Sequence, residues 1–191
     1  APLSPGTAVV IATQICEALQ AAHEHRIVHR DLKPDNVQLV AREGSVLAKV
    51  LDFGIARVMK DPESDLGLNL STVDIAGTPA YMSPEQIMGK DPDPRTDLYS
   101  LGVILYEMLT GLPPFYCRDR EKLFEKIRSA ELSYPRYLSE NAKDILRGLL
   151  TRDPNARLGS APDDADGADE IVNGCHSWKS LKPASTAGQQ R

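Results

Sequence analysis

The chain has 191 residues, of which 41% are hydrophobic and 26% are charged, and its net charge is −5. A chain of this length forms one domain around a single core and is too short for two domains of ordinary size. The composition is typical of a soluble globular protein, and the acidic balance argues against nucleic acid as the main partner.

The sequence has no segment of the kind that directs a chain into a membrane. Residues 1–6 lack the basic stretch and apolar run of a signal peptide. The longest apolar run, Leu101 to Leu109, is far shorter than the roughly 20 residues that a membrane span needs. The cysteines at positions 16, 117 and 175 include no close-spaced pair of the zinc-binding type. We therefore expect a cytoplasmic protein without a zinc site.

The first predicted element is an amphipathic helix from Thr7 to His25. Its apolar residues recur at helical spacing, and Ser4 or Thr7 is expected to cap its start. Two short β-type runs follow, Val37 to Val40 and Val46 to Leu51, with a turn between them. A helix and a small β-hairpin are therefore predicted in the first third of the chain.

A stretch without periodicity, Asp52 to Pro84, separates this hairpin from a helical second half. Loops of this length in compact domains are usually functional or disordered, so a regulatory segment is predicted here. The run from Asp97 to Gly111 is apolar on most helical faces, which predicts a buried helix. Further helices are predicted at Arg118 to Ser129 and Ser139 to Thr151, and a disordered tail at 179–191. The expected fold is mainly α-helical.

Two motifs point to a specific chemistry. Residues 29–36 read HRDLKPDN, and Asp52, Phe53 and Gly54 form the triplet DFG. Together they resemble the catalytic loop and the magnesium-binding turn of eukaryotic-type protein kinases. Either motif alone occurs by chance, but further matches follow in the family's order. They are GTP at 77–79, SPE at 83–85, DLYSLG at 97–102 and DPNARLG at 153–159.

The resemblance implies a serine/threonine protein kinase that uses ATP and Mg²⁺ to phosphorylate protein hydroxyls. It extends over nearly the whole chain, and residues 1–178 are expected to form the large, C-terminal lobe of the α+β kinase fold. Lys33 is typical of serine/threonine kinases, whereas tyrosine kinases carry an arginine-containing variant of this loop. The first half looks like bacterial-type kinases and the second half like the AGC group.

The residue types suit phosphoryl transfer, which depends mainly on positioning and on neutralising negative charge. Asn36 and Asp52 offer hard oxygen ligands to Mg²⁺. Asp31 is expected to act as the catalytic base towards the substrate hydroxyl. Lys33 would place a positive charge beside the transferred group, and the resemblance sets Thr78 next to Asp31 and Lys33. We expect Lys33, Asn36 and Asp52 to contact the nucleotide and its metal.

Five further residues have structural roles by resemblance. Glu85 should form a buried ion pair with Arg157. Asp97 should accept hydrogen bonds from the backbone of the catalytic loop. His29 and Phe53 are expected to pack in an internal column rather than to transfer protons.

Arg30, directly before Asp31, suggests control by phosphorylation, because its positive charge could receive a phosphate from the long loop. Thr72 is the first candidate phosphosite and Ser71 the second, while the alternative is that both are ordinary solvated residues. Asp74 falls where one large kinase group carries a phosphothreonine, and its carboxylate would partly mimic phosphate.

Asp35 and Glu107 match acidic positions that receive an upstream arginine of the substrate in some AGC-type kinases. Protein substrates with arginine before the acceptor serine or threonine are therefore expected. The alternative is that both acids are structural or solvated.

Two departures from the family pattern concern the nucleotide. Gln38 stands where the family usually has a large apolar residue under the adenine ring, so weaker ATP binding is expected. The 191 residues contain no glycine-rich phosphate loop or strand lysine before the catalytic loop. The small lobe is thus expected to be missing, and this piece alone nearly inactive. The alternative function is a non-catalytic interaction module derived from a kinase.

Overall fold

The computed structural model describes residues 1–42, 45–53 and 79–160. Within these ranges the chain is mostly helical, with one two-stranded antiparallel sheet. The elements are α1 (Pro5–Glu24), β1 (Val37–Arg42), β2 (Ser45–Val50), α2 (Pro84–Ile87), α3 (Pro94–Thr110), α4 (Arg120–Ser129) and α5 (Glu140–Leu149). Single 3₁₀ turns cover Pro34–Asn36, Pro79–Tyr81 and Pro154–Ala156. The prediction of a mainly α-helical fold with one β-hairpin is confirmed.

Helix α1 begins two residues before the predicted start. The Ser4 hydroxyl accepts a hydrogen bond from the Thr7 N–H at 3.2 Å, and Pro5 occupies the first helical position, where a missing N–H costs nothing. One face of the helix is buried in the core. Its buried residues are Ala8, Ile11, Ala12, Ile15, Cys16 and Leu19.

The hairpin packs on the core beside α1, and the Gln14 side chain of α1 hydrogen-bonds to its edge. Strands β1 and β2 pair from Val37 opposite Val50 to Arg42 opposite Ser45. The Gln14 side chain donates to the Val46 carbonyl oxygen at 2.9 Å and accepts from the Ala48 N–H at 2.8 Å. The amide therefore takes the place of a neighbouring strand at the free edge of β2.

Helix α3 forms the centre of the core, as its apolar pattern predicts. Asp93 caps its start by accepting from the Arg95 N–H at 2.8 Å, and Gly111 ends it with a φ of 90°, which favours glycine. Its buried residues are Thr96, Asp97, Leu98, Tyr99, Ser100, Leu101, Gly102, Val103, Ile104, Leu105, Tyr106 and Leu109. Because α3 is buried on most sides, the polar residues of its first turn, Thr96 and Asp97, also lie in the interior.

The last two helices pack one apolar face each on this core. Asp119 caps α4 and Ser139 caps α5, each by accepting from a backbone N–H of the first turn. Helix α5 lies so close to α3 that a Cβ atom on Gly102 would stand 2.8 Å from the Cβ atom of Leu149. The predicted helices are confirmed to within three residues at each end, the largest difference being the start of α3 at Pro94 rather than Asp97. None of the described helices has the length and apolarity of a membrane-spanning segment.

Candidate active site

The backbone of the predicted catalytic loop is anchored on Asp97, which is fully buried in the first turn of α3. One carboxylate oxygen accepts from the His29 N–H at 2.8 Å and the other from the Arg30 N–H at 2.9 Å. The His23 ring also contacts this carboxylate, with 2.8 Å between Nε2 and Oδ2. Asp97 therefore ties the loop to both α3 and the last turn of α1. The sequence reading missed His23, because its partner lies 74 positions away.

Arg30 has an unusual backbone conformation. Its φ is 69°, in the left-handed region that costs a residue with a side chain about 1–3 kcal/mol. The surrounding hydrogen bonds hold it there. Its N–H is bound by Asp97, and its carbonyl oxygen accepts from Nε2 of Gln86 at 2.7 Å.

His29 joins the loop to the end of the hairpin. Its Nε2 lies 2.8 Å from the Leu51 carbonyl oxygen, and its Nδ1 accepts from the Asp31 N–H at 3.3 Å. These contacts require the neutral ring with its hydrogen on Nε2. The ring is 1% exposed and packs on Phe53, with 5.0 Å between ring centroids. His29 thus lies in the interior, and Phe53, which is half-buried, packs against it.

The loop brings two other predicted site residues, Lys33 and Asn36, into contact with Asp31. Lys33 donates from Nζ to Oδ2 of Asp31 at 2.7 Å. Asn36 donates from Nδ2 to the Asp31 carbonyl oxygen at 2.8 Å. The Asp31 side chain is 61% exposed and that of Lys33 only 14%. The carboxylate is therefore oriented by its neighbours and remains exposed to solvent.

Asp52 is positioned next to the loop by the hydrogen bonds of the preceding residue, Leu51. Leu51 donates its N–H to the Asn36 carbonyl oxygen at 2.8 Å, and its own carbonyl oxygen contacts His29. These bonds place the end of β2 against the loop that carries Asp31 and Asn36. Asp52 itself is exposed and has a φ of 56°. Gly54 and Thr78, the remaining predicted parts of the site, lie outside the described residues.

The donor set fits Mg²⁺. The Nδ2 group of Asn36 is bound to Asp31, which leaves the amide oxygen Oδ1 for a cation, and Asp52 adds a carboxylate. In the part of the chain that the structure describes, no group of three or more His, Cys, Asp or Glu side chains is arranged for a metal ion. Magnesium commonly takes only one or two carboxylates and fills its other positions with phosphate oxygens and water.

The Glu85 and Arg157 side chains form a buried pair. Arg157 donates to both carboxylate oxygens, at 2.7 and 3.0 Å, and also to the carbonyl oxygens of Thr151 and Arg95. Burial alone would raise the pKa of Glu85, but the hydrogen bonds and charge of Arg157 outweigh it and lower that pKa. The pair links α2 to the segment after α5.

Asp35 and Glu107 act on the same tyrosine. The Tyr81 hydroxyl donates to Oε2 of Glu107 at 2.5 Å. Burial raises the pKa of Tyr81, and the hydrogen bond and charge of Glu107 and the charge of Asp35 raise it further. Both predicted substrate-binding acids therefore lie near Tyr81, which the sequence reading did not single out.

Gln38 lies on the exposed side of the hairpin, directly opposite Lys49 in the strand register. Residues directly opposite each other in an antiparallel pair lie on the same face of the sheet, so Gln38 and Lys49 share one face. Both are exposed, so this face is open to solvent. The phosphosite candidates Ser71 and Thr72, and Asp74 with them, lie outside the described residues, as does the predicted tail at 179–191.

Known proteins resemble this chain over most of its length. It is 40% identical over 151 residues to protein kinase 2 of Dictyostelium discoideum, which covers 79% of this chain and 29% of the relative. It is 52% identical over 117 residues to serine/threonine-protein kinase Pkn1 of Myxococcus xanthus, covering 60% and 16%. It is 42% identical over 152 residues to RAC-beta serine/threonine-protein kinase B of Xenopus laevis, covering 80% and 30%. The chain thus spans less than a third of each relative.

The relatives include kinases of the bacterial type and of the AGC type. Residues 1–175 of the sequence match the protein kinase domain. This range contains the catalytic-loop motif, the hairpin and all of the described helices. The chain belongs to the protein kinase domain family.

Proposed function

We propose that this chain is the large lobe of a serine/threonine protein kinase that transfers the γ-phosphoryl group of ATP to serine and threonine hydroxyls of proteins. One observation carries the proposal. A single hydrogen-bonded loop holds Asp31, Lys33 and Asn36 together and binds the residue before Asp52. A scaffold has no need of a base, an ammonium group and two metal ligands in one place, so the enzyme is favoured over a non-catalytic interaction module.

Each side chain of the loop has a separate task. Bound ATP would supply the phosphoryl group, and its Mg²⁺ would neutralise part of the negative charge of the phosphates. Asp31 would accept the proton of the substrate hydroxyl on its exposed carboxylate and aim that oxygen at the phosphorus. Lys33 would place its charge beside the transferred group, and Asn36 and Asp52 would hold the cation. We assign Thr78 to the support of Asp31 and Lys33.

Nucleotide binding by this lobe would be incomplete on its own. The 191 residues have no glycine-rich loop or strand lysine to cover the phosphates, and we propose that a small lobe outside this sequence supplies them. The amide of Gln38 lies on the open face of the hairpin, where it would weaken packing against adenine. The chain alone is therefore expected to be nearly inactive.

Substrate choice and control follow from charged residues around the loop. Asp35 and Glu107 would attract an arginine that precedes the acceptor residue, and the Tyr81 hydroxyl, which donates to Glu107, lies within the field of both acids. Arg30 is exposed and would bind a phosphate on Thr72 or, failing that, on Ser71. We place the enzyme in the cytoplasm, with proteins rather than nucleic acids as its substrates.

The test is a phosphoryl-transfer assay on the complete protein that carries this chain, with Mg-ATP and serine and threonine peptides. Replacing the base, Asp31→Asn, should lower kcat at least about 100-fold because proton transfer by a positioned group contributes that much. Asp91 is exposed and lies outside the loop, so Asp91→Asn is a matched control that should leave kcat unchanged. Equal kcat for Asp31→Asn and the parent protein would contradict the proposal. ATP-independent partner binding without any transfer would favour the interaction module.

A further inference from the structure

Gln86, in α2, uses both ends of its side-chain amide. Its Oε1 accepts from the Ser83 N–H at 3.0 Å, and the Ser83 hydroxyl accepts from the Gln86 N–H at 3.3 Å. This reciprocal pair is a capping box, which satisfies two backbone N–H groups at the start of the helix. The Nε2 group is turned the other way and donates to the Arg30 carbonyl oxygen at 2.7 Å. The Gln86 side chain thus takes part in capping α2 and also contacts the catalytic loop.

The Arg30 carbonyl belongs to the peptide unit whose N–H is that of Asp31. That N–H makes only a long contact of 3.3 Å with Nδ1 of His29, which is weak by itself. Arg30 also has the left-handed φ of 69°, which is strained, so rotation of this peptide unit would lower the backbone strain. The 2.7 Å bond from Gln86 is the shorter of its two contacts, and it opposes that rotation.

The residue type supports a second task beyond capping. A capping box is formed equally well by glutamate or glutamine, because only an oxygen is needed. The bond to Arg30 needs a donor, which glutamine has and ionised glutamate lacks. The described contacts of position 86 therefore use an acceptor and a donor on one side chain.

We propose that Gln86 is a positioning residue that orients Asp31 through the Arg30 carbonyl group. It makes no contact with Asp31 itself. The proposal rests on the proposed function in that Asp31 is the catalytic base. It also couples the start of α2, directly after the SPE motif, to the geometry of the catalytic loop, so that a displacement of α2 would reach Asp31 through one hydrogen bond.

Two variants at position 86 separate positioning from capping. Gln86→Glu keeps the oxygen that caps α2 but sets a carboxylate oxygen against the Arg30 carbonyl. Gln86→Ala removes both contacts without adding repulsion. If Gln86 only caps α2, Gln86→Ala should have lower stability and lower activity than Gln86→Glu. A positioning residue reverses the order for activity, because the glutamate variant pushes the peptide unit away.

The experiment measures steady-state kinetics and thermal unfolding on the complete protein. We expect Gln86→Glu to lower kcat about tenfold, the effect of one lost hydrogen bond, with KM for ATP unchanged. It should lower kcat more than Gln86→Ala but lower the Tm less. The matched control is Gln20→Glu in α1, where the side-chain amide of Gln20 donates a hydrogen bond to Glu24 of the same helix. This control should have the kcat of the parent protein.

A second measurement does not depend on activity. Amide hydrogen exchange at Asp31 should be faster in both variants at position 86 than in the parent protein, and unchanged in the Gln20→Glu control. If the parent protein has no kinase activity, the proposed function fails while this measurement still tests Gln86. Unchanged exchange at Asp31 together with parental kcat in Gln86→Glu would overturn the inference.

Discussion

Tyr99 is a buried tyrosine whose hydroxyl has no hydrogen-bond partner among the described residues. The side chain is 0% exposed, and burial raises the pKa of its hydroxyl. The Arg157 guanidinium lies 5.1 Å from the ring centroid, a contact that the ring makes and the hydroxyl does not. The hydroxyl therefore carries a desolvation cost that the described structure does not offset.

We expect Tyr99→Phe to raise the free energy of unfolding by up to about 1 kcal/mol, because it removes the unpaired group and keeps the ring. Urea unfolding at neutral pH measures the change. Tyr116→Phe is the matched control, since Tyr116 is 50% exposed and its hydroxyl is free to contact water. A loss of about 1 kcal/mol or more in Tyr99→Phe, with no change in the control, would show that the hydroxyl has a partner such as a buried water.

At the scale of elements, the sequence patterns predicted the helices well and their contacts poorly. The apolar spacing of α1, α3 and α5 is a local signal, so their bounds were found to within about a turn. Helix α2 has only four residues, too few to show a period. The contacts of His23 with Asp97 and of Gln86 with Arg30 join positions 74 and 56 residues apart, and no local pattern contains them.

The hairpin shows how one such contact supports an element. Two strands alone are marginally stable in water, and the edge of β2 depends on the two hydrogen bonds from Gln14. We expect Gln14→Ala to lower the free energy of unfolding by roughly 1–3 kcal/mol, because part-buried groups of Val46 and Ala48 lose their partners. Amide exchange at Ala48 should become faster. Gln20→Ala, at the surface of the same helix, is the control and should leave this exchange unchanged.

If amide exchange at Ala48 became faster in Gln20→Ala than in Gln14→Ala, this account of the hairpin would be contradicted. The effect of Gln14→Ala should also extend to the catalytic loop. Leu51 at the end of β2 is bonded to Asn36 and His29, so loosening the hairpin should also raise amide exchange at Leu51.

At the scale of the whole molecule, the kinase motifs predicted which residues would meet but not how many elements each pair connects. Arg157 contacts Glu85 in α2, the Arg95 carbonyl in α3 and the Thr151 carbonyl after α5. Its charge is neutralised by one carboxylate, although three helices depend on its position. The catalytic loop is bound to the same α3 through Asp97, so the site and this ion pair share one support.

This arrangement predicts an acid dependence of stability. Because the pKa of Glu85 is lowered from its ordinary value of 4.5, the pair stabilises the folded state above that pH and loses its effect as the pH falls further. Glu85→Gln should lower the free energy of unfolding by roughly 3–5 kcal/mol at pH 7, because it leaves Arg157 buried without a counter-charge. The difference from the parent protein should shrink below pH 4.5 in urea titrations at each pH. Glu140→Gln removes an exposed carboxylate that pairs with Lys143 and should change stability little at any pH. A deficit of Glu85→Gln that stayed constant down to pH 3 would mean that packing, rather than the charge of this pair, joins the three helices.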